Sequence, residues 1–352
     1  MAKLISRKSL TKVTQYAYDI EVEDNHNYFV EGVLVHNCKN LETKQGQGFI
    51  QLQPNYRVAM TGTPLINTPL DLYAILKWLG YEPYEFKQFK YHFCQYDEWG
   101  NIIGYKNIDQ LRDQLSAIML RRTKKEVMPY LPEKIYKDEY VELTDEQKNI
   151  YNKVIDGVIN DESLATAEEC ELVLKLRLRQ ISGGIAPFGS FKKVPKLDRM
   201  EQLVEEAIYS GTKVVIYSNW VEGLAPAIER LSNYNYVVVD GETADADRQS
   251  LIDKFQDDPE VKIILGTIGA LGTGFTITAA TVVIFLDEPW NDATKEQAID
   301  RTHRYGTKSA VTIYTLMSYG TYDEEVHSIV SGKREMSAHI VDRKDFAAWK
   351  VA

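Results

Sequence analysis

Two arginines near the carboxyl end of the chain have the spacing of a phosphate-binding surface. In the stretch QAIDRTHRYG, Gln297, Arg301 and Arg304 stand at positions i, i+4 and i+7, so on a helix they would share one face. Guanidinium groups bind phosphate oxygens through paired hydrogen bonds. A solvated helix with surface ion pairs would show the same spacing, so the residue types alone leave both interpretations open.

A second group with reactive side chains is the tripeptide His36-Asn37-Cys38. A Cys thiolate can attack a thioester and take over an acyl chain. An Asn side-chain nitrogen can attack its own main-chain carbonyl carbon and cut the peptide bond that follows. A neighbouring His can transfer protons near neutral pH. The tripeptide is too short to be specific, so its meaning depends on the residues around it.

Composition limits the class of protein. The chain has 352 residues, of which 44% are hydrophobic, which is enough for two or three domains with cores of their own. Its net charge of −10 excludes a polybasic protein, although a local basic groove could still bind nucleic acid. No G-x-x-x-x-G-K-[ST] occurs, so the sequence contains no phosphate-cradling P-loop.

The cysteines and the apolar runs bear on the compartment. Cys38, Cys94 and Cys170 are too sparse for a disulfide framework and favour a reducing cytosol. The start, MAKLISRKSL, lacks the apolar segment of a signal peptide, and runs such as VVIFL are too short to span a bilayer. We expect a cytoplasmic protein with no membrane partner.

Strands and helices alternate from Lys196 onward. The helix KLDRMEQLVEEAIYSG precedes a series of apolar strands separated by helices. These strands are KVVIYSN, VVVDG, VKIILGT, TVVIFLD and VTIYTLM. Such alternation is typical of parallel βαβ units. The sequence therefore predicts an α/β lobe with a doubly wound parallel sheet.

The first half of the chain is less regular. Residues 1–37 alternate as β-structure, with a turn at residues 24–25. The strand YRVAM, the tight loop TGTP and the helix PLDLYAILKWLG follow. Residues 84–182 are predicted to be mainly helical, and Thr144 with Gln147 forms a capping-box pattern at the start of an amphipathic helix.

Six segments in order along residues 39–330 resemble motifs of superfamily two helicases, in the form found in Swi/Snf ATPases. QAIDRTHRYG resembles motif VI, GTIGALGTGFTITAATVVIFLDEPWN resembles motif V and the strand after it, and KVVIYSNW resembles motif IV. YRVAMTGTPLINTPLDLYAIL resembles motif III, DGETADADRQSLIDKF the segment between motifs IV and V, and LRRTKKEVMPYLPEK the stretch between the lobes. The chain departs from the family pattern at Thr307, where Gln is usual, and at Thr276, where Asn is common.

The resemblance implies roles for individual residues. Arg301 and Arg304 would be arginine fingers that complete an ATP site from the second lobe, with Gln297 beside them. Such arginines are worth roughly 10³–10⁵ in rate in related phosphoryl transfer. Gly272 and Gly274 would let the motif V loop approach nucleotide or DNA closely. Smaller residues would contact phosphate or couple the ATP site to DNA, although each could equally be an ordinary turn or cap; they are Thr61, Gly62, Thr63, Ser218 and Thr267.

The acidic pair Asp287-Glu288 follows an apolar strand and could pass for a magnesium-binding pair. The resemblance places it between motifs V and VI, whereas the family's DExx box precedes motif III. We therefore expect no metal site in this chain. ATP and Mg²⁺ would bind only in an enzyme assembled with an N-terminal half that carries the P-loop and DExx box. DNA, in particular double-stranded DNA, would be the other partner.

The residues before Cys38 resemble the C-terminal fragment of a split intein of the Hint fold. Asp19 with His26 seven residues later, and the terminal His36-Asn37 before Cys38, match that pattern in YDIEVEDNHNYFVEGVLVHNC. The resemblance implies that Asn37 cyclises, that Cys38 accepts the upstream chain and that His36 acts at the cleaved bond. Asp19 and His26 would act in thiol activation and acid–base steps, and splicing would need no cofactor.

The expected organisation has five parts. They are an all-β intein fragment at 1–37, the end of a first RecA-like lobe at 38–83, a helical insertion and inter-lobe region at 84–195, a second RecA-like lobe at 196–330 and a tail at 331–352. Trans-splicing with an N-terminal precursor would yield a DNA translocase of a bacterial or phage-infected cell. The start at Met1 fits a natural split fragment and also a truncated cis intein. The alternative is a non-splicing helicase lobe that binds DNA or protein.

Overall fold

The chain divides into two compact units, residues 1–120 together with 335–352, and residues 121–334. The computed structural model describes residues 27–30, 33–36, 57–59, 68–159, 167–185, 191–272 and 274–341. Within these ranges, no helix is long and apolar enough to cross a membrane.

The N-terminal unit contains a short antiparallel hairpin of β1 (Asn27–Val30) and β2 (Val33–His36). Val30 pairs with Val33, so only residues 31–32 connect the strands. The sequence YFVEGVLVHN was expected to be β-structure, and its described residues lie in the two strands of this hairpin. The turn expected at residues 24–25 lies outside the described residues.

Three helices form the core of the N-terminal unit. A 3-10 turn at Pro69–Asp71 leads into the first helix, and the elements that follow are α1 (Leu72–Leu79), α2 (Phe86–Phe93), β3 (Cys94–Tyr96), β4 (Ile102–Tyr105) and α3 (Ile108–Ile118). Gly80 ends α1 with φ 84°, a conformation that favours glycine, and this confirms the helix end expected there. The apolar side chains of the three helices pack together; they include Leu72, Leu76, Phe89, Phe93, Leu111 and Leu115.

The second unit alternates strands and helices, as the sequence predicts. In chain order its elements are α4 (Lys124–Val127), β5 (Lys134–Val141), α5 (Asp145–Ile159), α6 (Ala167–Ser182), α7 (Pro195–Tyr209), β6 (Lys213–Ser218), α8 (Val221–Arg230), β7 (Tyr236–Val239), α9 (Asp245–Asp257), β8 (Ile263–Thr267), α10 (Ile268–Leu271), β9 (Ala280–Phe285), α11 (Asp292–Thr302), β10 (Val311–Ser318) and α12 (Tyr322–Val341).

The six strands form one parallel sheet in the order β5-β10-β9-β6-β8-β7. Along β6, Val214 and Ile216 face one core, whereas Val215 and Tyr217 face the other. Helices α7 and α8 cover the first face, and α9 and α11 cover the second. A strand buried on both faces is a continuous apolar run, which is why the sequence identifies these strands so clearly. The α/β class and the parallel sheet are confirmed.

Most of the described residues in 84–182 are helical, as expected, but this region also contains strands that the sequence did not predict. The hairpin β3–β4 lies in this region, and β5 joins the sheet of the second unit along the whole length of β10. The sequence of β5, KIYKDEYV, is mostly exposed, because an edge strand needs no continuous apolar run. The capping box is confirmed, since Gln147 N–H donates to Thr144 Oγ1 at 3.2 Å and Thr144 N–H donates to Gln147 Oε1 at 3.3 Å.

A buried ion pair joins the start of α7 to the start of α12. Lys196 Nζ lies 2.7 Å from Asp323 Oδ2, and the two side chains are only 2% and 4% exposed. Asp323 also accepts hydrogen bonds from Ser182 Oγ at 3.0 Å and from the Ser318 main-chain N–H at 3.1 Å. With so many donors around it, the carboxylate holds three separate segments together, and removing one partner would leave an uncompensated buried charge.

We expect the substitution Lys196→Met to lower the free energy of unfolding of the second unit by about 3 kcal/mol, because Asp323 would stay buried without its cation. Chemical denaturation of the full chain measures this. The matched control is Lys193→Met, since Lys193 forms only an exposed 3.8 Å pair with Asp198, and its loss should cost less than about 1 kcal/mol. Equal effects of the two substitutions would contradict the stabilising role of the buried pair.

Candidate functional site

The arginines of QAIDRTHRYG lie at the end of α11. The helix starts after Asn291, whose side-chain oxygen accepts from Thr294 N–H at 2.8 Å, and it ends at Thr302. Gln297 is exposed and Arg301 is partly buried, and both belong to the helix as predicted. Arg304 does not, because it lies beyond the last helical residue, so the expected three-residue helical face is wrong in its last member.

Groups from outside the helix explain why it stops there. Ile277 N–H donates to the Arg301 carbonyl oxygen at 2.8 Å, and Thr307 Oγ1 donates to the Thr302 carbonyl oxygen at 2.8 Å. These are carbonyl groups that a continuing helix would have used itself. Gly306, with φ 100°, then allows the chain to turn. Because of this turn, Arg304 is exposed on the surface but does not continue the line of α11.

The motif V loop and the end of the motif VI helix meet in space. Arg304 Nη1 donates to Thr276 Oγ1 at 3.1 Å, and the main-chain bond between Ile277 and Arg301 lies next to it. Two segments that are separated in sequence by β9 and α11 therefore form one surface. Ile277 lies three residues before β9 begins at Ala280, so this surface lies near the amino end of β9.

The two glycines of this loop are constrained in different ways. A Cβ on Gly272 would lie 2.4 Å from the Ile268 carbonyl oxygen and 3.3 Å from Ala298 Cβ, so Gly272 allows the loop to pack closely against α11. Gly274 has φ 80° and open space around it. Gly272 is thus needed for close packing and Gly274 for a left-handed turn. The expected close approach of this loop to a ligand stays a prediction.

Both positions at which the chain departs from the family pattern contact Arg304. Thr276 accepts from its guanidinium group, and Thr307 Oγ1 accepts from its main-chain N–H at 3.0 Å. The two threonines together fix the main chain and the side chain of Arg304. The two departures from the family pattern, Thr276 and Thr307, therefore lie together around Arg304.

Ser218 and Thr267 lie side by side at the carboxyl ends of β6 and β8, where they are register partners. Ser218 is fully buried, and its hydroxyl oxygen accepts from Trp220 N–H at 3.2 Å and donates to Asp287 Oδ2 at 3.4 Å. Thr267 precedes α10 and is 8% exposed. In the structure Ser218 therefore stabilises a turn, and a contact of either residue with phosphate stays a prediction. Thr61, Gly62 and Thr63 lie outside the described residues.

The splicing residues are described only in part. His36 is the last residue of β2. Asp19, His26, Asn37 and Cys38 lie outside the described residues, so their arrangement stays a prediction.

The acidic pair Asp287-Glu288 lies at the carboxyl end of β9 and is bonded to protein groups. Asp287 Oδ2 accepts from the Asn219 main-chain N–H at 2.6 Å, and full burial raises the pKa of its carboxyl group. Glu288 Oε1 lies 2.7 Å from Lys295 Nζ, and Glu288 Oε2 lies 3.1 Å from His327 Nδ1. These contacts occupy three of the four carboxylate oxygens of the pair. Among the described residues, no group of three or more His, Cys, Asp or Glu side chains is arranged to hold a metal ion.

A buried arginine completes this carboxyl-edge network. Arg179, which is 1% exposed, donates from Nη2 to the Glu288 carbonyl oxygen, and its guanidinium carbon lies 4.1 Å from the ring centroid of Trp290 and 5.2 Å from that of Trp220. No sequence pattern connects Arg179 with DEPWN, because Arg179 and Glu288 are more than 100 residues apart. The pairing of Lys196 with Asp323 was missed for the same reason. Lys295 and His327, which lie closer to Glu288 in the sequence, were also not predicted as its partners.

The network at Glu288 makes stability depend on pH. Burial alone would raise the pKa of Glu288, but His327 and Lys295 outweigh it and lower that pKa. The hydrogen bond to Glu288 raises the pKa of His327 above its usual 6.5. The stabilising charge on Glu288 is therefore lost as the pH falls below its usual 4.5, and that on His327 is lost as the pH rises through its elevated pKa.

We expect the substitution His327→Gln to lower the free energy of unfolding. The loss should be largest between about pH 4.5 and pH 6.5, where Glu288 and His327 are both charged. The difference should shrink as the pH is raised through the elevated pKa of His327. Urea denaturation at a series of pH values measures it, with Ser328→Ala on the exposed side of the same helix as the control. A difference that is constant over this pH range would contradict the pairing.

Two family models match most of the chain. The SNF2-related domain matches residues 31–183, and the helicase conserved C-terminal domain matches residues 195–306. Uncharacterized ATP-dependent helicases of Mycoplasma genitalium and Mycoplasma pneumoniae are 29% and 30% identical over 81% of this chain. The chain spans 28% of the length of each of these relatives.

A solved structure agrees with these matches. The SWI2/SNF2 ATPase core of Sulfolobus solfataricus in complex with dsDNA is 30% identical, with a TM-score of 0.51, and the match covers 87% of this chain and 67% of that one. The motifs, the parallel sheet, the two family models and this core point to one family. The chain belongs to the Swi/Snf helicase family, with an SNF2-related domain followed by a helicase C-terminal domain.

Proposed function

We propose that the described second unit is the arginine-finger lobe of a DNA-dependent ATPase of Swi/Snf type, a RecA-like lobe that works as part of a translocase. The observation that carries this proposal is the contact between Arg304 and Thr276, together with the adjacent bond between Arg301 and Ile277. These contacts bring the guanidinium group of Arg304 and the main chain of Arg301 against a glycine-containing loop. Such a surface is suited to the oxygens of a nucleotide phosphate.

The residues of this surface fit the phosphate end of ATP. ATP supplies the phosphoryl group that is transferred to water, and negative charge spreads over its oxygens in the transition state. Arg301 and Arg304 would stabilise that charge, and Gly272 and Gly274 would let the main chain come close. Gln297 is exposed on the same helix and would lie next to the arginines.

The proposal assigns the P-loop and the Mg²⁺ ligands to another polypeptide segment, because the carboxylates Asp287 and Glu288 are bonded to protein groups and the chain has no P-loop motif. The isolated chain would then not hydrolyse ATP. An N-terminal half that carries a P-loop and a DExx box would complete the enzyme.

Double-stranded DNA is the proposed partner of the assembled enzyme. The related Sulfolobus core was solved with dsDNA, and its sequence is similar to this chain over most of the chain's length. We propose that Thr61, Gly62 and Thr63 contact DNA or couple the DNA to the ATP site, and that the buried Ser218 and Thr267 act only in this coupling. The negative net charge of the chain is compatible with this role if the basic groups are local.

We expect Arg301→Ala to lower DNA-stimulated kcat for ATP hydrolysis by about 10³-fold in the assembled enzyme, because the arginine acts on charge that develops in the transition state. Steady-state phosphate release measures this. Arg177→Ala is the control, since Arg177 is exposed and bonds only to Gln180 in the next turn, and it should leave kcat unchanged. Unaltered kcat in Arg301→Ala would refute the arginine-finger role.

We further propose that residues 1–37 are an intein fragment that splices in trans. The Cys38 thiolate would attack the thioester at the upstream junction and take over the N-terminal chain. The Asn37 side-chain nitrogen would attack its own carbonyl carbon, break the Asn37–Cys38 peptide bond and leave a succinimide. A shift of the acyl group from sulfur to nitrogen would give an ordinary peptide bond. His36 and His26 would move the protons, and Asp19 would activate thiols.

We expect Asn37→Ala to block release of residues 1–37 when the chain is mixed with its N-terminal precursor, because alanine has no side-chain nitrogen to cyclise. Mass spectrometry of the products measures this. Asn40→Ala, three residues along the chain, is the matched control and should splice normally. Ligated, fragment-free product from Asn37→Ala would refute the splicing proposal.

One observation favours the alternative of a non-splicing chain. The SNF2-related match begins at residue 31, so it crosses the proposed junction between Asn37 and Cys38. A helicase lobe that keeps these residues would bind DNA or protein without splicing. An intact 352-residue chain as the sole mature form in its host would favour this alternative.

A further inference from the structure

The end of α11 is held by a segment that lies far away in the sequence. Lys124 Nζ donates to the His303 carbonyl oxygen at 2.8 Å and lies 2.6 Å from Asp300 Oδ1. His303 Nε2 donates to the Pro132 carbonyl oxygen at 2.6 Å. Asp300 immediately precedes Arg301, and His303 immediately precedes Arg304. The segment from Lys124 to Pro132 therefore contacts the neighbours of both proposed arginine fingers.

Asp300 is the charged centre of this contact. Its Oδ1 atom also lies 2.8 Å from Lys134 Nζ, and Lys134 in turn lies 2.8 Å from Glu296 Oε2, one turn earlier on α11. Burial alone would raise the pKa of Asp300, but Lys134 and Lys124 outweigh it and lower that pKa. The carboxylate is therefore charged at neutral pH and is shared by two lysines.

The local structure limits the freedom of Lys124. It is the first residue of α4, and Thr123 caps this helix, because Glu126 N–H donates to Thr123 Oγ1 at 3.3 Å and Thr123 N–H donates to Glu126 Oε2 at 2.8 Å. The second unit starts at Arg121, so Lys124 lies just after the chain enters that unit. The capped first turn of α4 therefore holds the Lys124 ammonium group against the end of α11.

An ordinary surface ion pair would have little effect, since exposed pairs contribute about 0–1 kcal/mol. This contact differs in two respects. The side chains of Lys124 and Asp300 are 37% and 34% exposed, so both are largely covered, and Lys124 also bonds to a main-chain carbonyl. The pair with Asp300, just before Arg301, and the bond to the His303 carbonyl, between Arg301 and Arg304, restrict where these arginines can lie.

We propose that Lys124 is a positioning residue for Arg301 and Arg304, acting through Asp300 and the His303 main chain. This inference rests on the proposed arginine-finger role. A small displacement of a group that acts on the transition state lowers kcat more than it changes substrate binding. Loss of Lys124 should therefore affect the chemical step specifically.

The test compares variants of Lys124 in the assembled ATPase. We expect Lys124→Met to lower DNA-stimulated kcat by about tenfold, with KM for ATP changed by less than about twofold. Lys124→Arg should recover kcat to within about threefold of wild type, because it keeps the charge and the donor groups. Lys125→Met is the matched control, since Lys125 is the next residue and is exposed, and it should leave kcat unchanged.

A merely structural role would give a different result. It would lower the melting temperature of Lys124→Met without separating kcat from KM, so the melting temperature of each variant is recorded. Asp300→Asn, which keeps the size of the side chain, should lower kcat like Lys124→Met. The triple variant Lys124→Met/Arg301→Ala/Arg304→Ala should be no slower than Arg301→Ala/Arg304→Ala, because the lysine acts through these two arginines.

The outcomes separate this inference from the function on which it rests. If Arg301→Ala lowers kcat but Lys124→Met behaves like Lys125→Met, the positioning role is overturned and the arginine-finger role stands. A triple variant that is slower than Arg301→Ala/Arg304→Ala would also overturn the positioning role. If Arg301→Ala keeps full activity, the proposed function fails, and the positioning role fails with it.

Discussion

The parallel pairing of β6 between β8 and β9 is the constraint on which the functional arrangement depends. Because all strands run in one direction, every strand of the sheet ends at the same edge, and each connecting helix must run back across a face. Helix α11 starts after the carboxyl end of β9 and returns to the region before its amino end, where Arg301 bonds to Ile277. The arginines therefore lie near the amino edge of the sheet, whereas the acidic pair that follows β9 lies at its carboxyl edge.

The two edges of the sheet are stabilised by charge in different ways. At the carboxyl edge, Lys196 with Asp323 and Lys295 with Glu288 are buried pairs that tie α7, α11 and α12 to the strand ends. A buried charge without its partner is costly, so these segments keep fixed positions. At the other end of α11, the pairs of Asp300 are partly exposed. We infer that the buried pairs at the carboxyl edge stabilise the fold, whereas the pairs of Asp300 position the arginines at the end of α11.

The sequence predicted the central strands and the edge strand β7, but it missed the edge strand β5. KVVIYSN and TVVIFLD are continuous apolar runs, because both of their faces are buried, and the structure has them as β6 and β9. KIYKDEYV lacks such a run, because it is an edge strand, and it was taken as part of a helical region. The end of α11 could not be predicted either, since Ile277 and Thr307, which end it, act through space.

By itself the sequence determined the family, the order of the motifs and the residue types that could bind phosphate, because these depend on local pattern and composition. Only the tertiary structure decided that Asp287 and Glu288 are bonded to protein groups, that Arg304 leaves the helix, and that Lys124 reaches the arginine end of α11. The physical reason is that hydrogen bonds and ion pairs between distant segments leave no periodic signal in the chain.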